Sequence, residues 1–160
     1  MKRTCYISWE AFFMSVAQLA AQRSKDPSTQ VGASIIKNNK IIGVGYNGFP
    51  NGCSDDEFPW EKDGEELDTK YPYVCHAELN AILNAIDRNA LEGATMYITL
   101  FPCNVCAQMI IQSGITKVVY LEDKYHDRNF SIAARRMFDA AGIVYQMHTD
   151  ETLSDVLENL

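Results

Sequence analysis

The chain has 160 residues, 47% of them hydrophobic, enough to bury one core without disulfides and too few for two ordinary domains. Lys+Arg 14 against Asp+Glu 21 leaves a formal net charge of -7, which repels a polyanion and argues against binding along DNA or RNA unless the basic residues form one patch. No run approaches the roughly 18 consecutive apolar residues of a bilayer span, and an odd count of five cysteines suits reduced thiols in the cytoplasm, or a nucleus, better than a secreted disulfide framework.

Met1, Lys2 and Arg3 precede an apolar stretch, but Glu10 and Gln18 interrupt what would be the hydrophobic region of a signal peptide, so the segment reads as mature protein. Ser8 is placed to cap a helix whose positions Trp9, Phe12, Phe13, Val16, Leu19 and Ala20 follow the helical repeat and are expected to face the core; Pro27 lies beyond its end. Residues 31–36 and 40–46 are short β-branched runs around the turn-forming Lys37, Asn38 and Asn39, and so predict a hairpin. From Phe49 to Val74 the chain loses periodicity and carries Pro50, Pro59, Pro72 and an acidic cluster; a loop this long inside a compact domain is usually functional or disordered. Then follow helix 76–88 (Leu79, Ile82, Leu83 and Ile86 inward), strand 95–100, helix 104–113, strand 117–121, helix 129–141 and strand 143–147. This alternation predicts an α/β fold with a parallel sheet segment, right-handed crossovers and helices on both faces. The acidic tail from about 149 predicts at most a loose short helix, and 1–160 reads as a single domain.

Cys103 and Cys106 are three apart, so on the first turn of a helix their sulfurs share one side. A helix start also favours thiolate. Taken alone the pair fits either a metal site or a redox motif. His76 and Glu78 open the preceding helix, where both can lean over its end: His76 to ligate a metal, Glu78 to reach a water bound to it. His-x-Glu followed by Pro102-Cys103-x-x-Cys106 is the signature of zinc deaminases. Three protein ligands with a fourth position for water belong to catalytic rather than structural zinc. Glu78 is then the proton carrier for attack on a ring carbon bearing an exocyclic amine.

At these residues the sequence resembles the deoxycytidylate deaminases of the cytidine deaminase superfamily. The likeness runs from about Ser8 to Tyr145 and includes segments 21–27, 45–56, 70–78 and 123–127. It implies a three-layer α/β/α fold on a five-stranded mixed sheet, conversion of dCMP to dUMP with catalytic Zn2+, and a homo-oligomer, commonly a hexamer. It further implies activation by dCTP with Mg2+ and inhibition by dTTP, with Asn51, Gly52 and Asn80 as candidate effector residues. The partners expected are thus these small nucleotides, with no nucleic acid polymer and no membrane.

A monophosphate carries about two negative charges near pH 7 and calls for cations or N–H donors. Arg23, Ser24 and Lys25 are the leading phosphate group, against the alternative that a basic helix end merely complements the helix dipole. Lys124, Tyr125 and His126 follow a predicted strand, where α/β sheets place ligand contacts, or else form a solvated loop. Asn47 can bond a sugar hydroxyl or base edge or simply make a turn; Ala77, between His76 and Glu78, is expected at the base pocket, and Phe101, before the metal helix, either walls that pocket or belongs to the core. Cys53 and Cys75 suit a second metal site less well than buried unreactive thiols. Rival functions are deamination of free cytidine, or of dCTP alongside dCMP, editing of a polynucleotide, and a catalytically silent zinc protein that binds nucleotides.

Overall fold

The computed structural model describes residues 1–158; the single-domain reading over 1–160 and the acidic tail both extend to residues 159 and 160, which lie outside the described residues. Strands β1 (Gly32–Lys37), β2 (Lys40–Tyr46), β3 (Thr95–Leu100), β4 (Lys117–Glu122) and β5 (Val144–Met147) form one mixed sheet in the order β2-β1-β3-β4-β5. β1 runs antiparallel to β2 and β3, while β3, β4 and β5 are parallel. The hairpin turns at Asn38 and Asn39, with φ of 49° and 57°, a conformation asparagine tolerates better than most residues. Parallel neighbours need crossovers, and these are α3 (Asn104–Gln112) and α4 (Asn129–Ala141).

Strand alternation feeds two cores, one on each side of the sheet. Ala33, Ile35, Met96, Ile98 and Val118 pack with Ala77, Ala81, Ala107, Ile110, Ala134 and Phe138 from α2 (Ala77–Leu83), α3 and α4. Ile36, Tyr97 and Val119 point the other way, onto Phe13, Met14 and Ala17 of α1 (Trp9–Ala21). Ser8 caps α1 by accepting from Ala11 N at 2.9 Å and donates to Asp150. The tail forms α5 (Leu153–Glu158), tied to α1 by Leu153 N donating to Gln18 Oε1 at 2.8 Å. The result is the expected α/β/α sandwich.

Both helices flanking β1 and β2 bury only part of the expected face: Phe13 and Ala20 of α1 are buried and Ile82 of α2 packs against the core, but several of the large residues face outward. In α1 the buried set is Ala11, Phe13, Met14, Ser15, Ala17, Ala20 and Ala21, while Trp9 and Leu19 are 57% and 62% exposed. The cause is close approach: a Cβ on Gly32 would lie 2.0 Å from Ala17 O and 2.5 Å from Ala21 N, so the helix backbone rides on the strand and only small side chains fit between. In α2 the same holds at Gly45, whose missing Cβ would meet Ala81 N at 2.2 Å. Ala77, Glu78 and Ala81 are buried there, and Leu83 and Ile86 are left outside. α2 is also shorter than the predicted 76–88. Asn84 Nδ2 donates to Val44 O at 3.0 Å and Ile86 N to Ile42 O at 3.1 Å, drawing the chain out of the helix and alongside β2.

Candidate active site

His76 is the N-cap of α2 and Cys103 the N-cap of α3, so two helix starts converge at one end of the sheet. Backbone bonds hold the chain in place ahead of each helix. Cys75 pairs with Gly48 through N–H···O bonds of 2.8 and 3.1 Å, extending the β2 edge to the residue before His76. Phe101 N donates to Glu122 O at 2.8 Å, extending the β3–β4 ladder to the residue before Pro102.

His76 Nδ1 lies 3.3 Å from Cys106 Sγ and 3.6 Å from Cys103 Sγ, and one ligand atom from each residue falls within 4.8 Å of the others. No other His, Cys, Asp or Glu cluster of this kind occurs among the described residues. Cys103 is pulled down to about 4, first by its hydrogen bond with Cys106 and further by His76. His76 is raised to about 9, chiefly by its bond to Cys103. Cys106 is pushed strongly upward by the Cys103 sulfur and by burial. Three soft or borderline donors crowded together, one already favouring the thiolate, fit a zinc ion. Glu78, two residues along the chain from His76 in the first turn of α2, is 4% exposed and close enough to Cys106 to be influenced by its thiol. Burial is the main force raising its carboxyl above the usual range, opposed by the nearby His76. A carboxyl so placed can take up a proton and return it.

A cavity of about 480 Å³ opens over this cluster. Ala77, Glu78, Asn47 and Phe101 lie on its wall with His76 and Cys103, and Tyr71, Tyr125 and Phe130 stand around it. Phe101 serves core and wall at once: its ring meets Tyr120 edge-on at 4.9 Å, and the Arg135 guanidinium, paired with Asp123, sits 4.0 Å from its centroid. Asn47 is heavily engaged, with Oδ1 accepting from Val31 N at 2.8 Å and Nδ2 donating to Thr29 O at 2.9 Å and Asp26 Oδ2 at 3.4 Å.

Other expected site residues are not on this wall. Ser24 Oγ donates to the Asn47 carbonyl at 2.9 Å, Lys25 pairs with Asp55, and Arg23 lies 6.0 Å from the Tyr46 ring centroid. Lys124 lies over Tyr125, and His126 Nδ1 contacts Asp123 O at 3.2 Å in a local turn. Asn51 and Gly52 form an exposed turn, with Gly52 at φ 89°, and Asn80 Nδ2 donates to Tyr46 O at 2.7 Å. Instead the wall includes Asp26, Lys62, Lys70 and Arg128, which sequence reasoning passed over. Asp26 and Lys70 fall inside segments that carry the family likeness, which was a usable signal. Nothing local marks Lys62 or Arg128.

An α/β/α sandwich that gathers His, Cys and Cys around a buried Glu at two helix starts defines a zinc-dependent hydrolase of the deaminase class. Residues 7–122 match the family model for the cytidine and deoxycytidylate deaminase zinc-binding region. The chain is 56% identical over 147 residues to the deoxycytidylate deaminase of Pongo abelii, covering 91% of this chain and 82% of that one. With the deoxycytidylate deaminase of Mus musculus it shares 54% identity over 159 residues, covering 98% and 89%. The crystal structure of the dCMP deaminase of cyanophage S-TIM5, in complex with dCMP and dUMP, superposes with a TM-score of 0.68 at 27% identity, covering 85% of this chain and 93% of that one. The protein belongs to the cytidine and deoxycytidylate deaminase family and is an enzyme of that family.

Proposed function

We propose that the protein hydrolyses dCMP to dUMP and ammonia, feeding thymidylate precursor synthesis. The observation that carries this is Glu78, buried beside the His76, Cys103 and Cys106 sulfur and nitrogen donors at the floor of a cavity large enough for a nucleotide. Relatives above 50% identity that bear the name deoxycytidylate deaminase support the choice of dCMP.

His76, Cys103 and Cys106 would hold the zinc, which when bound lowers the pKa of a water towards ~7 and so makes it nucleophilic at neutral pH. Glu78 accepts a proton from that water and delivers it to the ring nitrogen beside the reacting carbon. It then carries the water's second proton to the exocyclic amine, which leaves as ammonia while the oxygen stays as the new carbonyl. The same carboxyl works in both directions, which suits a group whose pKa burial has shifted upward. Phe101 and Ala77 wall the base, and Tyr125 and Asn47 stand beside the sugar. Initial rates on dCMP, deoxycytidine, cytidine and dCTP test the assignment: dCMP is expected to lead, and preference for an unphosphorylated nucleoside would defeat it.

Regulation is read as the family resemblance implies: dCTP with Mg2+ activates, dTTP inhibits, and the enzyme works as a homo-oligomer, commonly a hexamer; the cysteine usage places it in the cytoplasm or a nucleus. Asn51, Gly52 and Asn80 are the proposed effector residues. Velocity curves in dCMP with and without each triphosphate test the control, with sigmoidal curves made hyperbolic by dCTP as the expected result. Sedimentation of the zinc-loaded protein tests the assembly.

A further inference from the structure

Phe101 stands at the joint between the sheet and the metal donors. It follows β3 directly, precedes Cys103 by two residues, and lies on the cavity wall with 5% of its surface exposed. Three aromatic neighbours stand nearly perpendicular to its ring: Tyr120 at 4.9 Å and 88°, Tyr145 at 5.9 Å and 74°, and Phe138 at 6.2 Å and 79°. Among these rings sits one charge, the Arg135 guanidinium, over the face of Phe101 and 4.0 Å from its centroid.

A charge in such a nest carries a desolvation cost that packing alone does not call for. Two partners offset it. Arg135 pairs with Asp123, and its Nη1 donates to Ser131 O at 3.4 Å. The side chains of the pair are 24% and 15% exposed, largely out of water. Asp123 Oδ1 is buried without a hydrogen-bond partner among the described residues, so the guanidinium is the main group its carboxylate answers to. Arg135 on α4 thus ties the ring at the end of β3 to the residue that follows β4. A planar, delocalised guanidinium can lie on an aromatic face while forking to a carboxylate, and at this distance the attraction opposes sliding or tilting of the ring.

We propose that Arg135 is a positioning residue for the deamination: oriented by Asp123, it fixes the Phe101 ring and, through that ring, the angle at which the base meets Glu78. This rests on the reading of Phe101 as a wall of the base pocket. Arg135 is not itself on the cavity wall, so its effect passes through the ring. The sugar and phosphate are gripped elsewhere. A loosened ring therefore leaves nucleotide affinity nearly intact and lowers the fraction of bound bases aligned for attack, so the loss falls on kcat.

The test is a cycle of Arg135→Met and Phe101→Leu, singly and together, in the zinc-loaded enzyme with rates normalised to bound zinc. Arg135→Met is expected to lose about 10- to 100-fold in kcat for dCMP, while its dissociation constant for dUMP, by titration calorimetry, moves less than about 3-fold. In the Phe101→Leu background the same substitution should cost under about 3-fold, because the ring it acts on is gone. Arg135→Lys keeps a cation over the ring and should restore most of the rate; Asp123→Asn should fall between the Lys and Met variants. If Arg135→Met fails to load zinc, Asp123→Asn with and without Phe101→Leu supplies the cycle. Equal losses in both backgrounds, or an unchanged kcat in Arg135→Met, overturn the proposal, since a purely structural ion pair would act independently of the ring. A native enzyme that deaminates deoxycytidine but not dCMP overturns the substrate reading, and the same cycle run on deoxycytidine still decides for or against Arg135.

Discussion

The Asp26–Lys70 pair offers a sharp test of how this cavity is held open. Lys70 stands at the end of the long β2–α2 segment and Asp26 follows α1, so the pair ties that segment to the loop leading into β1. Asp26 does more than neutralise the ammonium: Oδ1 accepts from Ser28 N at 2.8 Å and Thr29 N at 3.1 Å, and Oδ2 also faces Asn47 Nδ2 at 3.4 Å. Asp26→Ala strips a buried ammonium of its partner, costing about 3–5 kcal/mol. It also leaves two backbone N–H groups to partial solvent, adding roughly 1 kcal/mol, so about 4–6 kcal/mol is expected in all. Lys70→Met removes the cation, but the carboxylate retains its two backbone donors and the Asn47 amide. The expected loss is then only about 1–3 kcal/mol. Urea unfolding at fixed zinc, followed by tryptophan fluorescence, measures both, and the Asp26→Ala/Lys70→Met double variant should cost less than the sum of the singles. The reasoning is refuted if Asp26→Ala costs under about 1 kcal/mol, or if Lys70→Met is as damaging as Asp26→Ala.

Three further outcomes follow from the site and its frame. Glu78→Gln is expected to keep full zinc, measured by plasma mass spectrometry, and to lose about 10²- to 10⁴-fold in kcat; a near-native rate with intact metal removes Glu78 from proton transfer. Cys106→Ala should abolish stoichiometric zinc along with turnover, and zinc removal by a chelator should lower the thermal midpoint of the native enzyme reversibly. Native zinc content in that variant would disprove the ligand set. Gly45→Ala forces a methyl to within 2.2 Å of Ala81 N and 2.5 Å of Ala77 O, so it should destabilise by roughly 1–3 kcal/mol and displace α2 with its His76; an unchanged thermal midpoint and metal affinity would show that helix and strand are not in such close contact.

The elements and the metal donors were legible because both are written locally. Alternating runs with turn residues between them marked the strands, and the Cys103/Cys106 spacing with His76 and Glu78 at a second helix start marked the donor set. The faces of α1 and α2 were read only in part, with Phe13, Ala20 and Ile82 inward as expected, and the rest was missed for a physical reason. Burial of Ala17 and Ala81 rather than Leu19 and Leu83 depends on glycines at 32 and 45 in other elements, and helical periodicity weighs side-chain size without knowing what lies opposite. The cations were harder still. The sequence offered Lys25 as a phosphate ligand without its partner Asp55, thirty positions away in the chain, whereas Lys62 sat unremarked in an aperiodic loop.

By itself, the sequence determined which residues could do the chemistry: two thiols, an imidazole and a carboxyl have their reactivity and spacing whatever surrounds them. The tertiary structure alone decided which charges remain free to meet a ligand. A cation's availability is a property of its neighbours, and the ion pairs that engage Lys25 and Lys70 but, among the described residues, not Lys62 or Arg128 join segments that only the folded chain brings together.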